Sequence, residues 1–434
     1  MGRIKIVSIF AIIFLQYLAI QNVQAANMVC YLDTSRVKEV QQTIFDIDPA
    51  MQFCNYLIYG YAGINSDTFQ LKTLDRGLNF DLYHAVTALK RKHSHLKVLL
   101  SVGGDRDLES DEEEPNKYLM LLENIAHRNA FINSAQSFVN TYGFDGLDLA
   151  WQFPKNPPRE VYTGIRKAWN KFKGWFKGRN VVDEKAEEHR EQFVSFVREL
   201  RQSMSSLHAL LTMTVLPHVS AELFYDIPQI VPQMDFVTLA TFDYVTPLRD
   251  PKVADYTASI YELFERDPEL NIDNQIQYWL NHTSETSKLI MGVPAYGRSW
   301  IMTKESGITG YPPLPAGGAA AGGNLTHTEG LLSWPEVCVK LHQNKDLKGD
   351  AAPLHKVGDP TKRFGTYCYR DADDNGEYGM WVSYEEPATA ANKANYARVR
   401  SLGGVALFDL TTDDVLGSCG DGKYPILRSI KYKL

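Results

Sequence analysis

The sequence predicts an α/β protein, a (β/α)8 barrel interrupted by one small α+β insertion. Short β-branched or apolar runs alternate with helix-like stretches, as they do in parallel βα units. The alternation continues over most of the 434 residues, which favours one barrel over two doubly wound sheets. It breaks once, at about residues 300–384, where Gly- and Ala-rich sequence replaces it.

The predicted strands are short runs separated by helical or turn-forming sequence. They cover residues 57–61, 97–102, 146–151, 210–215, 236–242, 289–293 and 405–410. The helix-like segments between them include residues 80–93, 129–142 and 187–204. Because the carboxyl ends of all strands in such a barrel meet at one mouth, we expect functional side chains there.

The interruption of this alternation contains a predicted hairpin at residues 374–377. Asp371, Asp373 and Asn375 also have the spacing of the first half of a calcium-binding loop. The twelfth position of that loop is Val382, which lacks the bidentate carboxylate that such loops need. We therefore interpret the stretch as a turn and predict no metal site and no cofactor.

The N-terminal 25 residues have the pattern of a secretory signal peptide. Arg3 and Lys5 provide a positive start, an apolar run follows, and Val23 and Ala25 place small residues at a cleavage site. The apolar run of about 15 residues is too short for a membrane anchor, which needs about 20. We expect a secreted, extracellular protein without membrane insertion.

Composition limits the class of partner. A formal net charge of −7 argues against a general nucleic-acid binder. The chain is 44% hydrophobic and 22% charged, which is ordinary for a globular protein. Its aromatic share of 12% fits either sugar-stacking surfaces or, more commonly, an aromatic core.

Cysteines and glycosylation motifs agree with an oxidising, extracellular environment. Five cysteines allow two disulfides and leave one thiol over, and their spacing alone does not assign the pairs. Asn281 and Asn324 each begin an N-glycosylation motif. Two such motifs also arise by chance in a chain of this length.

The most informative segment covers residues 144–154, Phe-Asp-Gly-Leu-Asp-Leu-Ala-Trp-Gln-Phe-Pro. Side chains alternate along a strand, so Asp148, Ala150 and Gln152 should face the barrel axis and Trp151 the helices. Gln152 is then closest to the mouth, where barrel enzymes do their chemistry. An inward Asp148 needs partners, so it is either a functional group or a hydrogen-bonded structural residue.

This segment resembles the signature of the family 18 glycoside hydrolases, Asp-Gly-x-Asp-x-Asp-Trp-Glu-Tyr-Pro. Further stretches resemble the same family in order, over essentially the whole chain after residue 25. These stretches are residues 54–59, 99–104, 242–243, 292–298 and 403–408. The resemblance implies a TIM barrel with an α+β domain inserted after strand seven.

The resemblance also implies a division of the chain and a disulfide pairing. Residues 1–25 would be the signal peptide, 26–298 the first part of the barrel, 299–384 the inserted domain and 385–434 the last helix and strand. The implied disulfides are Cys30–Cys54 and Cys338–Cys419. Cys368 would remain free, and we expect it to be packed rather than reactive.

The departures from the family pattern predict that the chain is not an enzyme. In the family, a strand-four Glu protonates the leaving oxygen while the substrate's acetamide attacks the anomeric carbon. Here Gln152 stands in its place, and a carboxamide releases no proton near neutral pH. Ala150 replaces the Asp that orients the acetamide, and Phe242 replaces a Tyr. Asp148 and Asp243 remain, but the family uses them as supporting groups.

The sugar-binding surface of the family is altered as well. The strand-eight Trp that forms the floor of the family's cleft is Phe408 here, which stacks on a pyranose with less area and no N–H. The candidate glycan-binding residues are Tyr59, Tyr296, Arg298, Trp300 and Phe408. Two interpretations stay open: weak binding of a short glycan, or structural remnants only.

Two charged loops, which the chitinases lack, should rise over the same mouth. Residues 105–114 carry seven acids against one base, and residues 159–179 carry seven bases against one acid, with aromatic residues interleaved. We hypothesise that opposite charge draws them together as a partial lid. The alternatives are two solvated loops or, for the basic loop, a patch for anionic glycans.

The exchange of Glu for Gln, the long insertion after strand four and the signal peptide together resemble the insect imaginal disc growth factors. That resemblance implies a role in cell proliferation, perhaps alongside insulin-like signals, through a cell-surface receptor or extracellular protein that the sequence does not identify. Two other classes stay open. One is a lectin that binds a short glycan weakly in the old cleft, and the other is an enzyme acting on another sugar.

Overall fold

The computed structural model describes residues 26–35, 44–74, 79–108, 116–158 and 182–434. The predicted signal peptide, residues 1–25, lies outside this part of the chain. The strands are β1 (Asn27–Asp33), β2 (Tyr56–Ile64), β3 (Leu71–Thr73), β4 (Lys97–Gly103), β5 (Gly146–Ala150), β6 (Leu210–Val215), β7 (Phe236–Leu239), β8 (Val253–Ala254), β9 (Leu289–Pro294), β10 (Tyr296–Ile301), β11 (Leu314–Pro315), β12 (Leu331–Ser333), β13 (His355–Gly358), β14 (Thr366–Arg370), β15 (Met380–Tyr384) and β16 (Gly404–Phe408).

The α-helices of the same residues surround the strands. They are α1 (Ile44–Ile47), α2 (Asn79–Ala88), α3 (Lys117–Glu123), α4 (Ile125–Tyr142), α5 (Ala186–Ser206), α6 (Ala221–Phe224), α7 (Ile227–Ile230), α8 (Ile272–His282), α9 (Trp334–Leu341), α10 (Pro387–Val399) and α11 (Pro425–Lys431). Several begin with a polar cap; for example, the Asn116 side chain accepts hydrogen bonds from the first turn of α3.

A closed parallel barrel forms the centre of the molecule and confirms the predicted (β/α)8 class. In barrel order its strands are β1, β2, β4, β5, β6, β7, β9 and β16, and β1 closes the ring by pairing with both β2 and β16. The first barrel strand was missing from the predicted strands. The sixth ends at Leu239, earlier than predicted, because the chain then turns and Asp243 adopts a left-handed φ of 58°.

Two apolar layers hold the barrel together. Alternate side chains of the strands meet on the axis, in a cluster that includes Val29, Tyr31 and Ile58. The other side chains pack outward against the helices. Trp151 is an example: it is fully buried, and its ring lies 5.0 Å from Phe196 of α5, measured between centroids. The predicted inward and outward alternation after residue 146 is therefore correct.

A second sheet follows the seventh barrel strand. It contains β12, β10, β15, β14 and β13 in that order, and all its pairings are antiparallel. Helix α9 follows β12 directly, so the segment combines strands and helix in the α+β manner. The hairpin predicted at residues 374–377 joins β14 to β15. The exact division at residues 298/299 and 384/385 stays a prediction.

Two disulfides tie distant segments together. Cys30 of β1 is bonded to Cys54, and Cys338 of α9 to Cys419, which is the pairing that the family resemblance implies. Cys368 is free and fully buried in β14, and burial raises the pKa of its thiol well above the usual range. In the described part of the chain, every helix is too short or too polar to cross a membrane.

Candidate functional site at the mouth of the barrel

The fourth barrel strand, β5, carries three of the predicted site residues toward the axis in order of height. Asp148 lies deepest, Ala150 ends the strand, and Gln152 follows at the mouth. The neighbouring strand approaches closely, because Gly103 has a φ of 103° and a Cβ there would lie 2.1 Å from the carbonyl oxygen of Ala150. Glycine at that position brings the third and fourth strands together beneath the mouth.

Asp148 is fully buried, and hydroxyl groups surround its carboxylate. It accepts hydrogen bonds from Ser101 Oγ at 2.7 Å, Thr212 Oγ1 at 2.7 Å and Thr214 Oγ1 at 2.9 Å. Burial raises the pKa of Asp148, and the three donors offset that effect only in part. Of the two interpretations left open by the sequence, these contacts favour the hydrogen-bonded structural residue.

Gln152 lies above this network in a different environment. Its side chain is buried, with 6% of the residue exposed, and its Oε1 has no hydrogen-bond partner among the described residues. The backbone is held instead, because Asn116 Nδ2 donates to the Gln152 carbonyl oxygen at 3.3 Å. A neutral amide at the mouth can donate or accept a hydrogen bond, but it carries no proton for a leaving group.

The loop after the sixth barrel strand supplies Phe242 and Asp243. Phe242 is buried, and its ring lies 4.8 Å from that of Phe408, measured between centroids. Asp243 accepts from Tyr296 Oη at 2.8 Å and from Arg298 Nε at 2.9 Å. Burial alone would raise the pKa of Asp243, but the charge and hydrogen bonds of Arg298 outweigh it and hold that pKa below its usual range.

An aromatic stack forms the eighth-strand side of the mouth. The rings of Phe408 and Tyr31 are nearly parallel, with centroids 3.9 Å apart. The Tyr31 hydroxyl in turn lies 2.6 Å from Thr214 Oγ1, so the stack rests on the Asp148 network. Phe408 itself is partly exposed.

Two of the candidate glycan-binding residues do not lie in the cleft, and their prediction is wrong. Tyr59 is fully buried on the outer side of β2, with its ring 4.9 Å from Tyr83. Trp300 is also fully buried, in the inserted sheet, where its Nε1 donates to the carbonyl oxygen of Asp250. Strand alternation explains the first case: inward Ile58 puts Tyr59 on the outer side.

A cavity of about 840 Å³ opens beside the axis, and we call it the side cavity. It lies between the loops that follow β6 and β7 and the helix α8. Apolar residues Val215, Ala240 and Phe242 line its inner end. Polar and charged residues line the rest of it, among them Asn156, His218, Glu222, Arg249, Asp250, Glu269, Asn274, Gln275 and Tyr278.

Sequence reasoning missed the side cavity. Its polar residues come from four separate segments, and none of them belongs to a recognisable motif. The available signal was topological: the loops after neighbouring parallel strands leave the same end of a barrel. The position of α8 against those loops, which completes the wall, is a tertiary contact.

Comparison with known proteins identifies the family. The family model described as "Glycosyl hydrolases family 18" matches residues 27–413. The chain belongs to glycosyl hydrolase family 18. Chitinase-like protein Idgf5 of Glossina morsitans morsitans is 63% identical over 422 residues, which cover 97% of this chain and 96% of the relative. Imaginal disk growth factor 6 of Drosophila melanogaster is 53% identical over 422 residues, with coverages of 94% and 93%.

Solved structures of similar proteins share the barrel. Catalytic domain 2 of the Ostrinia furnacalis Group II chitinase gives a TM-score of 0.78 at 28% identity, covering 95% of this chain and 97% of that one. Human YKL-39, described as a pseudo-chitinase with retained chitooligosaccharide binding properties, gives 0.74 at 22% identity, with coverages of 94% and 99%. The second likeness shows the fold alone.

The charged loops of this family 18 member are described only in part. The basic loop, residues 159–179, lies outside the described residues, and so does the acidic loop beyond residue 108. At the start of the acidic loop, Asp107 is buried and pairs with Lys117 and Lys72 at 2.9 and 3.2 Å. It also accepts a hydrogen bond from Tyr118 Oη at 2.7 Å, so these contacts hold the Asp107 side chain against the barrel wall. The lid stays a hypothesis.

The remaining predicted positions have plain surroundings. Asn281 and Asn324 are exposed, which glycosylation requires, and their occupancy stays a prediction.

At the calcium-like stretch, Asp373 Oδ1 accepts from the backbone N–H groups of Asn375 and Glu377 at 2.9 and 2.8 Å. Those contacts are the ones expected of a turn. The described residues contain no group of His, Cys, Asp and Glu side chains arranged to hold a metal ion.

Proposed function

We propose that this family 18 protein is a secreted growth factor that promotes cell proliferation and does not hydrolyse chitin. The observation that carries the proposal is its likeness, at 63% and 53% identity over nearly the whole chain, to relatives named as a chitinase-like protein and an imaginal disk growth factor. It acts through a cell-surface receptor or an extracellular protein, alongside insulin-like signals.

The chemistry of the mouth supports the loss of hydrolysis. Gln152 offers a neutral amide, while Ala150 and Phe242 offer apolar surface where the family pattern has a carboxylate and a phenol. A missing general acid alone lowers a rate by about 10²–10⁴. The two carboxylates nearest the axis are also engaged, because hydroxyl groups surround Asp148 and Arg298 pairs with Asp243.

The growth-factor activity is tested on cells. Protein expressed with its own N-terminus and purified from the medium of insect cells is added to imaginal disc cells, with and without insulin. We expect a saturable, dose-dependent rise in cell number that excess N-acetylchitotetraose does not reduce, with heat-denatured protein as the control. No rise over that control, or a rise that the tetrasaccharide abolishes, contradicts the proposal.

The loss of hydrolysis has its own test, with a fluorogenic N-acetylchitotrioside as substrate. We expect no turnover by the natural protein or by Gln152→Glu alone, because a restored acid still lacks an oriented acetamide. The triple variant Ala150→Asp, Gln152→Glu, Phe242→Tyr should gain measurable turnover. Hydrolysis by the natural protein that disappears in Gln152→Leu would contradict the proposed loss of hydrolysis.

A second candidate function is binding of a short glycan in the axial cleft without hydrolysis. The partly exposed Phe408 ring, held in place by its stack on Tyr31, favours it. The description of human YKL-39 as a chitooligosaccharide-binding pseudo-chitinase gives a precedent in the same fold. Calorimetric titration with N-acetylchitotetraose tests this function, and Phe408→Ala should weaken any binding seen.

A further inference from the structure

The end of the barrel opposite the mouth carries a run of basic residues. Residues 90–97 read Lys-Arg-Lys-His-Ser-His-Leu-Lys and connect the end of α2 to β4. All barrel strands begin at the same end, so this turn lies where β4 begins, away from the mouth. Lys431, the last residue of α11, reaches the same place: its Nζ lies 3.3 Å from Asn55 Oδ1, and the Asn55 carbonyl oxygen accepts from the Lys97 N–H at 3.0 Å. We call five of these side chains the basic face: Lys90, Arg91, Lys92, Lys97 and Lys431.

Two carboxylates neutralise part of the basic face. Asp145 pairs with both Lys90 and Lys97, at 3.0 and 3.2 Å. Asp48 pairs with Lys92. These ion pairs leave the lysines in contact with water, because the Lys92 and Lys97 side chains are 67% and 53% exposed. Exposed ion pairs are individually weak, so both lysines remain available to a ligand.

The other two cations of the basic face lack a carboxylate partner in the described part of the chain. Arg91 is exposed and forms no ion pair there. Lys431 donates to the neutral side-chain amide of Asn55. Two carboxylates therefore contact a face of five cations, although the whole chain has a net charge of −7. The basic face is a local region of positive potential on an acidic protein, and it attracts anions.

The exposure of these cations favours an extended anion over a small one. A hydrated surface cation gives one small ion little binding energy, because solvent and salt screen the pair. An anionic polymer contacts several cations at once and adds their contributions. The basic face offers such a row, since Lys90, Arg91 and Lys92 are consecutive and Lys97 shares Asp145 with Lys90.

The side chains beside the cations favour a hydrated polysaccharide over a lipid surface. Ser94 and His95 are exposed and polar, while Leu96 is 1% exposed and packs into the core. A surface that inserts into lipid presents several protruding apolar side chains, which this turn lacks. Tyr432, next to Lys431, is 75% exposed, but a single phenol anchors a protein only weakly. Hydroxyl and imidazole groups instead suit the sulfate and hydroxyl groups of a sugar chain.

We propose that the basic face binds a sulfated glycosaminoglycan chain, with Arg91 and Lys97 contacting its sulfate groups. The proposal rests on the proposed secretion of the protein, since such chains are extracellular, and it does not depend on the growth-promoting activity. Glu222 and Glu269 are exposed near the mouth, at the opposite end of the barrel. The polymer repels these acids, so the bound protein should present its mouth away from the chain.

The test is calorimetric titration of the full secreted protein with a heparin-derived octasaccharide. We expect saturable binding that weakens at least about tenfold when NaCl rises from about 50 to about 300 mM, because salt screens the contacts. Arg91→Ala and Lys97→Ala should each weaken the binding roughly threefold to tenfold, and the double variant more than about tenfold. Arg91→Lys keeps the charge and should stay within about twofold of the natural protein. An unchanged melting temperature shows that the variants are folded.

Two controls show where the octasaccharide binds. Lys304→Ala removes an exposed lysine that follows β10, and Arg166→Ala with Lys167→Ala removes two cations of the basic loop. Neither control should change the dissociation constant more than about twofold. The proposal is overturned if the octasaccharide does not bind, or if the Arg91 and Lys97 double variant binds it as well as the natural protein does. It is also overturned if the basic-loop control weakens binding as much as that double variant, or if the protein binds only vesicles of phosphatidylserine and phosphatidylcholine. The cell-number assay is separate, so failure here leaves the growth-factor proposal standing.

Discussion

Asp148 in the lower barrel interior and Gln152 at the mouth above it differ in how their polar atoms are satisfied. Below, three hydroxyl groups converge on the carboxylate of Asp148, and Tyr31 extends the network. Four residues further along the chain, the amide oxygen of Gln152 is buried without any partner among the described residues. Asp148 lies within β5, and Gln152 follows two residues after the end of that strand.

The difference separates a carboxylate with three hydrogen-bond donors from an amide oxygen that is buried without a partner among the described residues. A buried polar group without a partner costs stability, so a chain selected for stability alone would satisfy it or remove it. The saturated network below the mouth meets that requirement, and the amide at the mouth does not. We infer that the Asp148 network supports the barrel, while Gln152 contributes little to stability.

The largest expected effect comes from the outer side of the same segment. Trp151 is fully buried among aromatic residues of α3, α4 and α5, with its ring centroid 4.9 Å from that of Tyr118. Trp151→Ala should therefore lower the free energy of unfolding by about 3–5 kcal/mol. Urea denaturation followed by fluorescence measures this free energy. A loss smaller than that caused by Asp148→Ala would contradict the placement of Trp151 in the outer apolar layer.

The next effect breaks the network on the axis. Asp148→Ala leaves Ser101, Thr212 and Thr214 without their shared acceptor, which should cost about 2–4 kcal/mol. Asp148→Asn keeps one oxygen acceptor and should cost less than half of that. Equal losses in the two variants would show that burial volume, rather than hydrogen bonding, decides stability here.

A smaller, pH-dependent effect belongs to the ion pair at the mouth. Because the pKa of Asp243 is held below its usual range, the pair stabilises the fold above the ordinary aspartate pKa and loses this effect as the pH falls through the folded value. Asp243→Asn should cost roughly 1–2 kcal/mol at pH 7, since Arg298 keeps some contact with solvent. The difference from the natural protein should shrink steadily below pH 4. A difference that stays constant down to pH 2.5 would exclude this ion pair as its source.

The smallest effect is expected at the amide. Gln152→Leu replaces an unpartnered buried amide with an apolar side chain of similar size, so the free energy of unfolding should change by less than about 1 kcal/mol, in either direction. Denaturation under the conditions used for Asp148→Ala gives the direct comparison. A loss comparable to that of Asp148→Ala would mean that Gln152 has an essential partner outside the described residues.

Much of this architecture could be predicted from sequence because it depends on local periodicity. The alternation of strands and helices predicted the barrel, and the alternation along residues 146–152 correctly placed Trp151 outward and Asp148 inward. The family resemblance, applied without the register of β2, put Tyr59 in the cleft. Alternate residues of β2 face the axis and the helices. The structure shows that Ile58 faces the axis, so Tyr59 faces the helices.

The errors at Tyr59 and Trp300 have a common cause. Large aromatic side chains suit both a sugar platform and a packed interior, and composition does not distinguish the two. Trp300 lies in the same strand, β10, as Tyr296 and Arg298. The structure covers its ring with residues of the inserted sheet and the loop that carries Asp250.

The sequence by itself determined the barrel class, the inward set of the fourth barrel strand and the neutral amide at position 152, because each depends on residue identity and short-range periodicity. Only the tertiary structure decided which aromatic rings face a ligand, how Asp148 is satisfied, and where open volume remains beside α8. Those outcomes depend on contacts between segments far apart in the chain, and no local pattern encodes the distances between them.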